Sequence, residues 1–277
     1  MRIFPKKSLG QNFLVDPNIR NKLIASLDLK EDDIVLEIGS GKGELTRAIA
    51  QRVNKLFGLE IDKRLYSLLS STFGNDAKNI EIINSDILKF DLAEFFKQRK
   101  VRGRIKVFGN IPYYISSPII EHLLKFRGRI NSIFITVQKE FARRVAAVPG
   151  SKAYGSFSCF TQYYTLPRII FNISRNCFKP APKVDSSFLE LKIREKPAIQ
   201  VRDEALFFKL IRSSFSQRRK TLRKSLAGLV AVNTLESFFV QSALDKNIRP
   251  ENLSLENFAL LANLQHLAKK SLTNPPI

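Results

Sequence analysis

Between residues 33 and 193, short apolar runs alternate with amphipathic stretches, the pattern of a mostly parallel sheet covered by helices. The runs Asp33–Ile38, Lys55–Glu60, Ile80–Asn84, Ile105–Phe108, Ser132–Val137, Arg168–Ile173 and Ser187–Ile193 read as strands. Between them, Glu44–Arg52, Lys63–Ser70, Pro118–Phe126 and Lys139–Ala147 read as helices. The last two strands follow one another without a helix, through Lys179-Pro180-Ala181-Pro182, which predicts an antiparallel hairpin at one sheet edge. After Lys196-Pro197 the strand signals stop. Asp203–Phe215, Arg219–Leu229, Leu235–Ala243 and Leu255–Lys269 then carry apolar residues at helical spacing, with Asp203 and Ser254 as N-caps. The expected organisation is an α/β domain over residues 1–197, with a seven-stranded Rossmann-like sheet, and a small all-helical domain over residues 198–277.

The residues that carry chemistry stand at strand ends. Glu37-Ile38-Gly39-Ser40-Gly41-Lys42-Gly43 closes the first strand and leads into a helix, and its glycines let the backbone turn tightly and approach a ligand. That spacing also fits dinucleotide sites. A P-loop is excluded, because no Gly-Lys-Ser/Thr ends the run. Glu60 ends the second strand, at the spacing of an acid that accepts both hydroxyls of a ribose. Asp86 follows the third strand, placed to take the amino group of an adenine ring, and Asn110 closes the apolar run of the fourth. All converge on the crevice at the carboxyl ends of the strands, where open α/β sheets bind ligands.

Asn110 opens the tetrapeptide Asn110-Ile111-Pro112-Tyr113. The Asn110 side-chain carbonyl and the Ile111 backbone carbonyl can both accept hydrogen bonds from a flat exocyclic amino group. Pro112 fixes the backbone direction, and the Tyr113 ring can stack on a base. Methylation of an adenine amino group needs these features, because that nitrogen's lone pair is delocalised into the ring. An ordinary Asn-x-Pro turn at a strand end is the bland alternative. A nicotinamide enzyme would share the glycines and Glu60 but not the tetrapeptide; a class I S-adenosylmethionine-dependent methyltransferase accounts for both.

Charge points to the substrate. Lys and Arg number 46 against 25 Asp and Glu, a net +21, and such a field attracts polyanions. The excess is clustered: residues 97–106 hold six cations and residues 218–224 five, neither with an acid. Few aromatics accompany them, so both read as phosphate contacts. The chain has two cysteines and two histidines, too few for a disulfide framework or a zinc set. No apolar run approaches the roughly 20 residues that span a bilayer. The start of the chain lacks the apolar core of a secretion signal. The expectation is a reduced, cytoplasmic, metal-free protein.

Several stretches resemble the ribosomal RNA adenine dimethyltransferases, and most closely their bacterial small-subunit (16S) branch. They are Leu9–Leu14, the glycine loop, Asn110–Tyr113, Gln138–Glu140, Gly150–Gly155, Phe178–Ser186 and Phe215–Arg223. The resemblance implies S-adenosylmethionine as methyl donor and, as substrate, two adjacent adenines in a terminal hairpin loop of 16S rRNA within immature small subunits. It implies that Asn12 and Leu14 join Gly39, Gly41, Glu60, Asp86 and Asn110 around the cofactor. It implies that Phe178 packs against the flipped base opposite Tyr113, and that Arg218, Arg219, Lys220, Arg223 and Lys224 contact RNA. A monomer is expected. Two positions depart from the small-subunit pattern: Ser40 stands where many relatives have proline, and Tyr114 where they have asparagine. The glycine loop with Ser40 and Lys42 is more similar to the macrolide-resistance enzymes, which modify large-subunit rRNA. A non-catalytic RNA-binding factor on the same fold is the reading from another class.

Overall fold

The computed structural model describes residues 4–74, 77–217 and 219–273. It forms two compact units, Met1–Ala142 with Leu166–Ile193, and Arg143–Thr165 with Arg194–Ile277. Where the sequence places one boundary near residue 198, the chain passes between the units at 142/143, 165/166 and 193/194.

The first unit is built on β1 (Phe13–Leu14), β2 (Ile34–Ile38), β3 (Lys55–Glu60), β4 (Ile80–Asn84), β5 (Ile105–Asn110), β6 (Ile130–Gln138), β7 (Thr165–Ile173), β8 (Phe178–Lys179) and β9 (Ser186–Ile193). Seven of these make one sheet in the order β4-β3-β2-β5-β6-β9-β7. β2 to β6 run parallel, and β9 is antiparallel to β6. The order starts in the middle and grows outward both ways, so the carboxyl ends of β2, β3, β4 and β5 share one edge. Central strands of such a sheet are covered on both faces and read as near-continuous apolar runs; in β5, Ile105 to Gly109 are all buried. Phe188 from β9 packs between Phe134 of β6 and Phe108 of β5, at centroid distances of 6.0 and 6.3 Å.

β1 and β8 form a separate antiparallel pair, with Leu14 opposite Phe178. Neither is visible as a strand in the sequence, because two residues carry no period. Their pairing ties the Leu9–Leu14 segment to the core. Helices Pro17–Ser26 and Leu92–Gln98 add to those expected, and their starts are set by caps: Asp16 accepts from Asn18 and Ile19 N–H, and Asp91 from Glu94 N–H.

The second unit is helical: Ser156–Tyr164, Glu204–Ser216, Leu222–Ser225, Val232–Ser242 and Leu255–Thr273. Tyr163 packs on Phe207 and Phe208 at 5.1 and 5.2 Å, and both Tyr163 and Tyr164 hydroxyls bond Glu204, which is why residues 143–165 belong here. The helix expected over Arg219–Leu229 shortens to Leu222–Ser225. Thr221 stops it on one side, its side chain accepting from Lys224 N–H at 3.4 Å, and Gly228 on the other, at φ 76°. Consecutive like charges at Arg219 and Lys220 add nothing to hold a longer helix.

Candidate active site

The glycine loop leaves β2 through two left-handed residues, Gly39 at φ 76° and Gly41 at φ 60°, a backbone that L side chains rarely adopt. Two contacts pin it to β3. Gly39 N–H donates to the Leu59 carbonyl at 2.8 Å, and Gly41 N–H to Glu60 Oε2 at 2.9 Å. Glu60 Oε1 accepts from Asp62 N–H at 2.9 Å. Glu60 is 4% exposed, and burial raises its pKa above the usual carboxylate value. Each carboxylate oxygen accepts two hydrogen bonds, so one acceptor site per oxygen remains beyond these backbone donors. That matches a pair of ribose hydroxyls.

A second acid lies under the loop. Glu37 is 2% exposed, and its Oε2 accepts from Ser40 Oγ at 2.9 Å and Thr46 Oγ1 at 2.6 Å. Burial pushes its pKa up to about 7, against the lowering effect of those hydroxyls. The serine that departs from the relatives' proline thus has a partner, which no sequence signal revealed.

A cavity of about 880 Å³, its open mouth included, lies at the carboxyl edge. Asn12, Gly39, Gly41, Glu60, Asp86, Asn110 and Tyr113 all line it, with apolar walls that include Ile38, Ile61 and Ile87. Asp86 spends Oδ1 on Leu88 N–H at 3.0 Å. Asn110 donates from Nδ2 to the Asn12 carbonyl at 3.2 Å, which orients its Oδ1 as the unused acceptor. Residues missed by sequence reasoning hold the wall formed by the start of the chain: Asp62 accepts from Gln11 Nε2 at 3.3 Å and pairs with Lys6 and Arg64. The Arg64 guanidinium holds the Asp62 carboxyl well below the usual range.

Tyr113 is half-buried, its hydroxyl sharing a hydrogen bond with Ser186 Oγ at 2.5 Å; burial raises its pKa. Tyr114 lines the same cavity and is 66% exposed. Its ring rests on Gly10, where a Cβ would come within 3.1 Å of it. Leu14 lines a neighbouring cleft that shares Gly39, Gly41 and Asn110 with the cavity and adds Arg20 and Lys42. Phe178 is placed otherwise. Phe178 is 2% exposed and packs in the core with Leu23, Phe108 and Phe188. A ring so enclosed offers no face to a base.

The basic stretch lies in the second unit. Arg218 lies outside the described residues. Arg219, Lys220 and Lys224 are exposed, while Arg223 pairs with Glu236 at 3.2 Å. Among the described residues no cluster of His, Cys, Asp or Glu is arranged to hold a metal ion, and no helix is long and apolar enough to cross a membrane.

Residues 5–266 match the family model described as ribosomal RNA adenine dimethylase. The chain belongs to that family. Its members are S-adenosylmethionine-dependent methyltransferases, and the acid at the end of β3, the left-handed glycines and the Asp86 carboxylate fit that cofactor. The ribosomal RNA small subunit methyltransferase A of Alkaliphilus oremlandii is 39% identical over 95% of this chain and 92% of its own length. Among solved structures, a dimethyladenosine transferase from Plasmodium falciparum superposes with a TM-score of 0.75 at 26% identity, covering 94% of this chain and 98% of that one. The 23S rRNA methyltransferase ErmE gives 0.73 at 25% identity, over 92% and 100%. This rRNA adenine dimethylase has the α/β sheet read from its sequence, and its seven strands are those expected, with β9, antiparallel to β6, next to the edge strand β7.

Proposed function

We propose that this dimethylase modifies the exocyclic amino groups of two adjacent adenines in a hairpin loop near the 3′ end of 16S rRNA, in immature small subunits, acting as a cytoplasmic monomer. The observation that carries the reading is Asn110. Its amide nitrogen is spent on the Asn12 carbonyl and its Oδ1 is presented at the cavity, beside the Ile111–Pro112 peptide. The greater identity to the small-subunit relative than to ErmE supports the choice of subunit.

S-adenosylmethionine supplies an electrophilic methyl group when bound; the chain's residues bind and orient. Glu60 takes the ribose hydroxyls, Asp86 the adenine amino group, and Gly39, Gly41 and Asn12 the backbone contacts. Asn110 Oδ1 and the Ile111 carbonyl accept the hydrogens of the target amino group and localise its lone pair, so positioning is the main source of rate. Unstacking the target costs a few kcal/mol, and each base–aromatic stack returns roughly 1–3 kcal/mol. Tyr113, held by Ser186, supplies one ring. Tyr114, rather than the buried Phe178, supplies the second. Neither histidine lines the cavity, and none is needed: the methylated amino group is acidic enough to lose its proton to water. The exposed Arg219, Lys220 and Lys224, with Arg218 and Arg223, contact RNA phosphates.

The test supplies methyl-labelled S-adenosylmethionine with unmethylated small subunits and, separately, large-subunit rRNA. Dimethyladenine in the small-subunit rRNA is the expected product. Label confined to large-subunit rRNA would move the substrate to the resistance branch, which Ser40 and Lys42 resemble. Label in neither, with cofactor binding intact, would favour an RNA-binding factor without turnover.

A further inference from the structure

The opposite edge of the sheet, at the amino ends of its parallel strands, carries a second feature that methyl transfer does not use. β5 begins at Ile105, directly after Lys100, Arg102 and Arg104, and its neighbour β6 begins at Ile130, after Lys125 and Arg129. β9 runs antiparallel to β6 and brings Lys192 level with Ser132. Neighbouring strands lie about 4.8 Å apart, so these cations stand along a row roughly 10 Å wide on three adjacent strands.

Arg129 organises the row. Its guanidinium donates to the carbonyls of Val101 and Gly103 and lies over the Phe96 ring at 4.5 Å. The loop it holds turns through left-handed Lys100 at φ 49° and Gly103 at φ 75°. Lys100, Arg102, Arg104, Lys125 and Lys192 are left exposed. Among the described residues, none of these five side chains has a hydrogen-bond or ion-pair partner. Of the nearby acids, Glu81 pairs with Arg99, Asp33 with Lys106 and Glu190 with Arg168, while Glu31 and Asp32, ahead of β2 on the same edge, are exposed. The five cations outnumber these two acids, so the cluster is net positive. It has no exposed aromatic ring, a composition that suits phosphates and not bases.

We propose that this edge binds the sugar–phosphate backbone of substrate RNA at a place remote from the methylated base. The proposal rests on the RNA-methylating reading of the cavity. β5 spans six residues between Arg104 and the end of Asn110, about 20 Å at roughly 3.3 Å per residue. A short hairpin that fills the cavity leaves the opposite edge uncovered. Long structured RNA covers both.

The experiment compares wild type with a Lys100→Glu, Arg102→Glu, Arg104→Glu variant. A charge-matched control carries Lys196→Glu, Arg202→Glu and Lys209→Glu, three exposed positions in the second unit. Thermal melting and S-adenosylmethionine binding verify the fold. Equilibrium binding to intact small-subunit rRNA and to a short hairpin holding the target adenines is then measured at several salt concentrations. The expected result is at least tenfold weaker binding of the long RNA by the edge variant. The slope of log K against log salt should fall by about 2, since each lost phosphate contact removes roughly 0.7–0.9. Hairpin binding should stay within twofold, and the control should be less affected. Unchanged binding of the long RNA would overturn the proposal, as would equal loss on the hairpin or an equal effect of the control. Because these readouts are binding constants, a wild-type enzyme that binds RNA but methylates neither substrate would refute the cavity's reading without touching the comparison of surfaces.

Discussion

The site and the packing beside it use the same pair of residue types, an acid and an aromatic ring, for opposite purposes. Glu60 ends β3, and Glu37 stands one residue before the end of the adjacent β2. Glu60 lines the cavity and takes its hydrogen bonds from backbone N–H groups. Glu37 is shut beneath the glycine loop and takes its own from the hydroxyls of Ser40 and Thr46. Likewise Tyr114 is 66% exposed at the cavity mouth, whereas Phe178 is 2% exposed in the core. One partner of each pair meets ligands; the other holds the frame. Residue type and motif membership do not separate them, because both members lie in motifs. Burial and hydrogen-bond partners do.

Substitutions that remove one member of each pair sharpen the contrast. Phe178→Ala should cost about 3–5 kcal/mol of stability, the usual range for a buried phenylalanine, measured by chemical denaturation. Folded material should keep its affinity for the target hairpin within about twofold. A large loss of RNA affinity at unchanged stability would return Phe178 to the base-stacking role.

Glu37→Gln should act through pH. The folded state raises this carboxyl from 4.5 to about 7, so the folded protein binds the proton more tightly than the unfolded chain. The stability this provides is full below pH 4.5 and is lost as pH rises through 7. Glutamine presents the same acceptor without the charge. The variant should therefore gain on wild type by about 3 kcal/mol between pH 4.5 and pH 8, at 1.36 kcal/mol per pKa unit. A constant difference across that range would show that Glu37 is not the titrating group.

Glu60→Ala should leave less trace on RNA binding and more on the cofactor. Losing hydrogen bonds to a charged group is worth roughly 1.5–3 kcal/mol, a 10- to 100-fold rise in the S-adenosylmethionine Kd by calorimetry. Unchanged cofactor affinity would make Glu60 a strut of the glycine loop alone. Smallest is Tyr114→Ala. Loss of one stack at roughly 1–3 kcal/mol should raise KM for RNA about tenfold, with Tyr114→Phe near wild type. If both variants behave alike, the ring is not the contact.

Much of this was legible in the sequence. Bounds of β3 and β4 fall where the apolar runs predict. β3 is buried and nearly continuous in hydrophobicity, as a parallel strand covered on both faces must be, while β4 is a half-buried edge strand whose apolar run still marks it. Asp86, Glu60 and Asn110 were placed by their position after such strands, and all line the cavity. What the pattern lacked is set by contacts distant in sequence. Ser186 holds Tyr113 from 73 residues away, and Asn110 reaches the Asn12 carbonyl across 98. The two-residue strands β1 and β8 exist only through each other. The short helix Leu222–Ser225 is decided by Thr221 and Gly228, local signals that outweigh an apolar period. Phe178 was read by motif as a ligand-facing ring, and motif membership says nothing about which way a ring turns.

The most direct test of the account is Asn110→Ala, read by calorimetric S-adenosylmethionine binding and by single-turnover methyl transfer on the same preparation. Asn110 acts on the substrate's amino group, so transfer should fall by roughly 10²–10³-fold, the scale of removing one positioned group. Cofactor Kd should move by no more than about threefold, reflecting the lost bond to the Asn12 carbonyl. A fall in cofactor affinity that accounts for the whole loss of transfer would contradict the account and make Asn110 a cofactor residue.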